Sequence, residues 1–279
     1  MKNIKSIAWN STIRILGLLV VALFLPNNIK AQSTVKDGYT NSWFTLLNRF
    51  QLNKNWSISN EIHNRYGEFL QTQGQFLLRP SIDYSLNEHV EFALGYSFIH
   101  VSPYKPYSLP IAKNENNFWE QVILKNSVGK VKFLHRFRQE NRWIDHITTS
   151  NGESKINGRD YANRFRYRFV LNVDLLKIKD SEQSIFFAVF DELWFAQNDH
   201  LLPTDFARNW LYLGLGYKFN KSTNLQAGYM HQYDKVGINS FISTPILQVT
   251  LVKNFNFICG NNLENKYSFF GDAYRVGQL

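Results

Sequence analysis

The sequence predicts an all-β protein: a single antiparallel transmembrane β-barrel of about ten to twelve strands. The first observation is a two-residue alternation of apolar and polar side chains that recurs from Trp43 to Phe257. Side chains on a strand alternate between its faces, so each segment has one apolar and one polar face. The second observation is that the polar face carries Arg and Glu at mid-strand, where a sandwich core could not bury them unpaired. An apolar outside and a charged inside are typical of membrane barrels.

The N-terminal residues 1–31 predict a cleaved signal peptide and therefore export. A basic start precedes an apolar run, Ile15–Leu25, which suits a signal peptide and is too short to span a bilayer. Ala31 offers a small residue at the cleavage point. We expect residues 32–257 to form a barrel in the outer membrane, and 258–279 to be a C-terminal tail or an extra strand.

Composition narrows the classes of function. The net charge of the chain is +9, and residues 1–31 hold four basic residues and no acid, which leaves +9 − 4 = +5 for the remainder. This mildly basic balance, without a nucleic-acid motif, predicts no nucleic-acid partner. Cys259 is the one cysteine, which excludes an intrachain disulfide.

Eleven segments carry the strand-like alternation. They lie roughly at 40–52, 55–66, 74–85, 90–102, 117–128, 131–143, 160–173, 184–196, 207–219, 223–233 and 241–257. Their lengths suit tilted membrane strands. Tight turns alternate with longer predicted loops, at Gly67–Gln73, Ser102–Asn116, Ile144–Arg159, Gln197–Phe206 and Tyr233–Ser240. Short turns belong on the periplasmic rim of such barrels and long loops on the outside.

The first and last segments fit this scheme least well. The last one alternates from Ile246 and ends on Phe257, as expected of a closing strand that barrel-assembly machinery binds. The first one runs toward a tight turn, which places its start on the outer rim. Bacterial barrels normally have an even strand number with both ends in the periplasm. Either residues 32–40 thread the lumen, or a strand has been missed.

The clearest local pattern is a ladder of basic residues on two neighbouring strands. Lys132, Arg136, Arg138 and Arg142 share a face with Glu140, and the next strand presents three further arginines. Pointing inward, they would meet acids of other strands, for which Glu120 is a further candidate. We predict a polar lumen network of Glu61, Arg65, Arg79, Asp83, Glu91, Arg136, Arg138, Glu140, Arg142, Arg164, Arg166, Arg168, Glu192 and Arg208.

This ladder supports two interpretations. It could be a selectivity wall or an anion-binding lumen. It could instead be an interdigitated Arg–Glu network that plugs a narrow barrel, which we favour because small barrel interiors are filled by side chains.

Enzymatic and metal sites have weaker support. A lipid hydrolase or deacylase would need a serine beside a histidine near the lipid boundary. His100 near Ser97 and Ser102, and His231 near Tyr229, are candidates, but no serine-hydrolase motif surrounds them. The histidines are scattered, so we expect no metal site, no cofactor and no catalytic residue.

Several short motifs together resemble a known family. They include Phe118-Trp-Glu-Gln121, Arg136-Phe-Arg-Gln-Glu-Asn-Arg142, Arg164-Phe-Arg-Tyr-Arg168, Asp191-Glu192 and Ala227-Gly-Tyr229. In this order they resemble the Bacteroidetes outer-membrane barrel family catalogued as domain of unknown function 2490, over roughly 40–257. The resemblance implies an outer-membrane β-barrel without an established activity.

The expected function is therefore that of an integral outer-membrane protein: a narrow or plugged channel, or a scaffold. Its expected partners are outer-membrane lipid and lipopolysaccharide, and the barrel-assembly machinery through the Phe257-ended strand. A lipid- or lipopolysaccharide-modifying barrel enzyme is one alternative. A soluble periplasmic β-barrel binding protein is the other, and mid-strand arginines argue against it.

Overall fold

Strands form all the regular structure in this computed structural model, which describes residues 34–105, 109–178, 181–197 and 205–257. They are β1 Thr34–Asp37, β2 Asn41–Gln51, β3 Trp56–Gly67, β4 Thr72–Ser85, β5 Val90–Val101, β6 Lys113–Val128, β7 Val131–Ser150, β8 Glu153–Lys177, β9 Ser184–Ala196, β10 Asp205–Asn220, β11 Thr223–Gly237 and β12 Ser240–Asn256. The predicted signal peptide and the tail after Phe257 lie outside the described residues.

The strands close into a barrel through a parallel seam. From β2 to β12 each strand is antiparallel to the next, and β12 then pairs in parallel with β2. Strand β1 also pairs in parallel with β12, where Asp37 opposes Ser243, and β2 takes over where Asn41 opposes Ile246. Because β1 and β2 occupy successive stretches of β12, the twelve strands form a barrel of eleven.

This closure confirms the all-β barrel and corrects the expectation about its ends. The eleven predicted segments correspond to β2–β12, and the closing role of the last segment is confirmed. The eleven strands fall within the predicted ten to twelve, and the parallel seam makes the sheet mixed where an antiparallel barrel was predicted. Residues 34–37 lie in the wall beside β12 and do not thread the lumen.

Several predicted loops are strand. The β7–β8 hairpin occupies most of Ile144–Arg159 and turns at Asn151 and Gly152, whose φ values are 52° and 82°. An Asn-Gly turn with positive φ at both residues matches the twist of a hairpin. Alternation fails there because both faces of the hairpin meet solvent, yet backbone pairing continues. We call the rim that carries this hairpin the loop rim, and the opposite rim, with the tight turn at 52–55, the turn rim.

The barrel interior is filled by two kinds of side chain. Polar and charged residues occupy much of it, but a buried apolar cluster lines the inner face of β9–β12 with contributions from other strands. Its larger members include Phe186, Phe190, Trp194, Trp210, Tyr212 and Met230. From Phe186 to Trp194 the inner positions of β9 are apolar except for Glu192, so the polar lumen predicted from the sequence fills only part of the interior.

Inward glycines make room for these rings. A Cβ on Gly214 would lie 2.1 Å from the hydroxyl of Tyr212, and one on Gly216 would lie 2.1 Å from the ring of Phe186. A Cβ on Gly95 would likewise meet the Trp119 ring at 2.1 Å. At these positions the rings therefore pack directly against the strand backbone.

Candidate functional site

The lumen residues predicted from sequence all occupy inner positions of their strands. Most are buried, and Arg142, Arg164 and Arg208, nearer the loop rim, are half-buried. They do not form one continuous network. The structure arranges them in a central network, a loop-rim group and a turn-rim group, described in turn.

Glu192 is at the centre of the central network. Its carboxylate accepts hydrogen bonds from Arg166 Nε at 2.8 Å and Nη2 at 3.0 Å, and from Nη2 of both Arg136 and Arg168. All four side chains are fully buried. Strand register explains the grouping, because Arg168 lies directly opposite Glu192 on β9 and opposite Arg136 on β7.

Arg166 joins this carboxylate to a second one. Its Nη1 donates to Glu140 at 2.7 Å, and Arg164 Nε donates to the same carboxylate at 2.6 Å. The two arginines also stack on Trp194, with guanidinium carbons 3.9 Å and 4.3 Å from the ring centroid. Carboxylates on two sides and an aromatic face fix the planar guanidinium of Arg166 in one orientation.

Arg138 belongs to the other half of the central network. Its Nε and Nη2 donate to Gln121 Oε1 at 3.0 and 2.8 Å, and its guanidinium stacks on Trp119 at 3.9 Å. Across the lumen, Glu61 accepts from Arg79 Nη1 at 2.8 Å. Arg138 Nη2 lies 3.9 Å from Glu61, which connects the two halves of the network.

The loop-rim group consists of separate ion pairs and a cap. Arg142 makes a bidentate pair with Glu115 at 2.6 and 2.8 Å, and Arg208 pairs with Asp234. Arg65 donates to Gln75 at 3.0 Å and covers Trp43 at 3.7 Å.

Tyr104, in the loop after β5, closes over this end of the barrel. Its ring occupies the space above Gly67 and Gly74, where a Cβ would approach it to 2.7 and 2.8 Å. Burial raises the pKa of the Tyr104 hydroxyl to about 12. The loop thereby contributes a buried residue to the interior.

The turn-rim group has its own carboxylates. Glu91 accepts from Lys125 at 2.6 Å and from both terminal nitrogens of Arg49 at 3.2 Å. Asp83 accepts hydroxyl hydrogen bonds from three serines of β3 and β4, among them Ser81 at 2.8 Å. These hydroxyl groups orient the Asp83 carboxylate within the turn-rim group.

Sequence reasoning missed several partners and misplaced one acid. Arg49, Glu115, Lys125 and Asp234 have inner positions that the same two-residue alternation identifies. Glu120, considered for the lumen, is exposed on the outer face of β6, because odd-numbered residues of that strand point inward.

The two candidate histidines have different surroundings. His100 bonds Asn114 at 2.8 Å, whereas Ser97 points into the barrel and bonds Arg79, so His100 and Ser97 form no pair. His231 Nε2 lies 2.7 Å from Ser243 Oγ on the outer face of β11 and β12. The contact places a hydroxyl, which can act as a nucleophile, beside an imidazole, which can act as its base, at the surface of the barrel.

The described part of the chain contains neither a candidate metal site nor a helix that could span a membrane. Residues 34–105, 109–178, 181–197 and 205–257 contain no group of three or more His, Cys, Asp or Glu that could hold a metal ion. Across the same residues, no helix is long and apolar enough to cross a membrane.

Comparison with known proteins identifies a family without an activity. No curated protein matches the chain. A family profile described as "Protein of unknown function (DUF2490)" matches residues 40–240, which is most of the chain and covers β2 to β11 in full. The chain therefore belongs to the family described as Protein of unknown function (DUF2490).

Proposed function

We propose that this protein is an integral outer-membrane β-barrel, closed at mid-height by its own side chains, that serves as a scaffold or a narrow, plugged channel. One observation carries the proposal: large apolar side chains are exposed on the outer face around the barrel, while arginines and glutamates are buried inside. Soluble proteins rarely expose contiguous apolar surface of that extent, whereas a bilayer covers it.

The outer face has the dimensions that a bilayer requires. Aromatic residues pack in a row near the loop rim, where Trp143 contacts Phe118 and Tyr161, and another pair near the turn rim joins Trp56 and Tyr84. On β3, Trp56 and Tyr66 are ten residues apart, which is about 33 Å along a strand and about 25 Å in height at a tilt of about 40°. This height equals that of the apolar band of outer-membrane barrels.

The filled interior supports a closed barrel over an open pore. Arg136, Arg138, Arg166 and Arg168 have no solvent-exposed surface, and the apolar cluster fills the space beside them. A barrel of this strand number is narrow enough for side chains to fill. The exposed β7–β8 hairpin then provides a surface at the loop rim on which a partner can dock.

Conductance in planar lipid bilayers tests the proposal. The wild-type protein should conduct little, because the arginines of the central network are fully buried and their side chains occupy the lumen. Arg138→Ala, which removes the side chain between Gln121 and Trp119, should open measurable current, while Arg142→Ala at the loop rim should not. A large, anion-selective current from the wild type would favour the selectivity wall and overturn the plug.

The His231–Ser243 contact favours a second candidate, a lipid acyl hydrolase on the outer face. In this reaction Ser243 Oγ attacks the ester carbonyl carbon while His231 Nε2 accepts its proton. His231 then protonates the departing alkoxide, and water hydrolyses the acyl-serine. The 2.7 Å distance and the outward position beside lipid support it.

A fluorophosphonate probe tests this candidate in detergent and in liposomes. The expected result is labelling at Ser243, found by peptide mass spectrometry, and its loss in His231→Asn. The control is His100→Asn, since His100 bonds an amide and no serine. Absence of any label on the wild type would remove the hydrolase and leave the closed barrel.

A further inference from the structure

We infer that the central network binds a small free oxyanion, of the size of phosphate or sulfate, beside Arg136 and Arg138. This inference rests on the closed interior proposed above and adds a component to it. The anion would complete the charge balance of the plug from the inside, in the manner of a structural ion.

The charge count gives the first argument. The central network contains six guanidinium groups and three carboxylates, namely Arg79, Arg136, Arg138, Arg164, Arg166 and Arg168 against Glu61, Glu140 and Glu192. Two of the cross-strand pairs are of like charge, since Arg136 opposes Arg168 and Arg138 opposes Arg166. Like charges directly opposite one another destabilise a sheet, and buried cations require a compensating anion.

Hydrogen bonding gives the second argument and locates the position. Arg136 Nε and Nη1 and Arg138 Nη1 are buried and have no hydrogen-bond partner within the described residues. Both side chains are fully buried. They occupy consecutive inner positions on β7, so their backbones are about 6.6–7 Å apart along the strand, and both long side chains can reach one tetrahedral oxyanion placed between them. Guanidinium groups bind oxyanions through pairs of parallel N–H bonds, so the orphan donors match this ligand.

Arg136 is the side chain best able to move and admit the anion. It makes one hydrogen bond, to Glu192, and that carboxylate also has Arg166 and Arg168. Arg138, by contrast, is fixed by Gln121 and the Trp119 ring. If Arg136 turns away from Glu192, that carboxylate keeps its bonds to Arg166 and Arg168. Arg136 Nη2 then joins Nε and Nη1 as a donor for the ligand.

A gradient of burial marks the path of access from the loop rim. The exposed side-chain fractions of Arg208, Arg142 and Arg164 are 26%, 18% and 12%, and they fall to 0% at Arg166 and Arg136. Each of these three arginines pairs with a carboxylate, so an anion that approaches from this rim meets excess positive charge first at the central network.

Thermal unfolding of the full chain in detergent, followed by circular dichroism, provides the test. Sodium phosphate, sodium sulfate and sodium chloride are compared at equal ionic strength. Phosphate and sulfate should raise the apparent midpoint by roughly 3 °C or more once they exceed their dissociation constant tenfold, relative to chloride. Equal midpoints in the three salts would overturn the inference.

Matched variants locate the site. Arg136→Met should abolish the phosphate-dependent rise, whereas Arg49→Met, an equally inward arginine in the turn-rim group, should retain it. If Arg136→Met does not fold, the position of the anion is tested by ³¹P line broadening of inorganic phosphate, measured with the wild type and with Arg49→Met. Both proteins should broaden the line, and loss of broadening in Arg49→Met would refute the central position. The closed barrel is judged separately by conductance, so an open pore and an absent anion site give different results.

Discussion

Replacement of Glu192 by glutamine is the most direct test of the central network. The carboxylate accepts four hydrogen bonds from three buried guanidinium groups. Glutamine keeps the shape and one acceptor oxygen, but it removes the negative charge and points an amide N–H₂ toward cations. Removing one partner of a buried ion pair costs about 3–5 kcal/mol. Arg166 keeps its second carboxylate partner, Glu140. We therefore expect the free energy of unfolding to fall by about 3–5 kcal/mol in total, and not by that amount for each of the three arginines.

The assay is urea-induced unfolding in lipid vesicles, followed by tryptophan fluorescence. The matched control is Glu115→Gln, because that buried carboxylate accepts its hydrogen bonds from one arginine, Arg142, near the loop rim. Its expected cost is about 1–3 kcal/mol, since one charged hydrogen-bonded pair is lost. A wild-type unfolding midpoint for Glu192→Gln, or equal losses for the two variants, would refute the reasoning that Glu192 neutralises three cations.

Three further predictions concern the wall of the barrel. Leu213→Arg on the outer face of β10 should cost about 2–4 kcal/mol at the bilayer midplane, and Phe219→Arg, on the same face near the turn rim, about 0–1 kcal/mol, in the vesicle assay. In a Cys259→Ser background, a cysteine at Lys155 should react with an impermeant reagent on intact cells, and one at Asn87 only after outer-membrane rupture; the reverse pattern would invert the orientation. Gly214→Ala should cost about 1–3 kcal/mol, since its Cβ would lie 2.1 Å from the Tyr212 hydroxyl, and an unchanged stability would show that this ring moves freely.

The sequence predicted the strands and their faces because alternation is a local property. The same rule placed Arg136, Arg138 and Glu140 on the inner face of β7, where the structure has them. Alternation could not predict which residues pair, because Glu192 comes from β9 and Glu61 from β3, and contacts across a lumen depend on register and tilt. His135 illustrates a related limit: it faces outward, and its partner is the Tyr167 hydroxyl, 2.9 Å away on the neighbouring strand.

The sequence also did not predict the parallel closure or the apolar half of the interior. Strand direction at the seam depends on the parity of the strand count, which one short segment at the N-terminus obscured. On β9 the inward residues Phe186 and Phe190 alternate with apolar outward residues such as Phe187 and Val189, so polarity contrast does not reveal their side. Inward Gly214 and Gly216 were the available signal, because they leave space for large neighbours.

The parallel seam between β2 and β12 determines how the chain folds. The other neighbouring pairs from β2 to β12 are consecutive in sequence and form as hairpins, whereas the seam joins Asn41 to Ile246, which are 246 − 41 = 205 residues apart. Contacts of such separation form slowly, since the intervening chain must first be ordered. Until closure, β2 and β12 are two free sheet edges that another strand can pair with. We therefore expect closure of the seam to limit the folding rate, and mutations in β2 or β12 should alter the yield of folded protein more than its final stability.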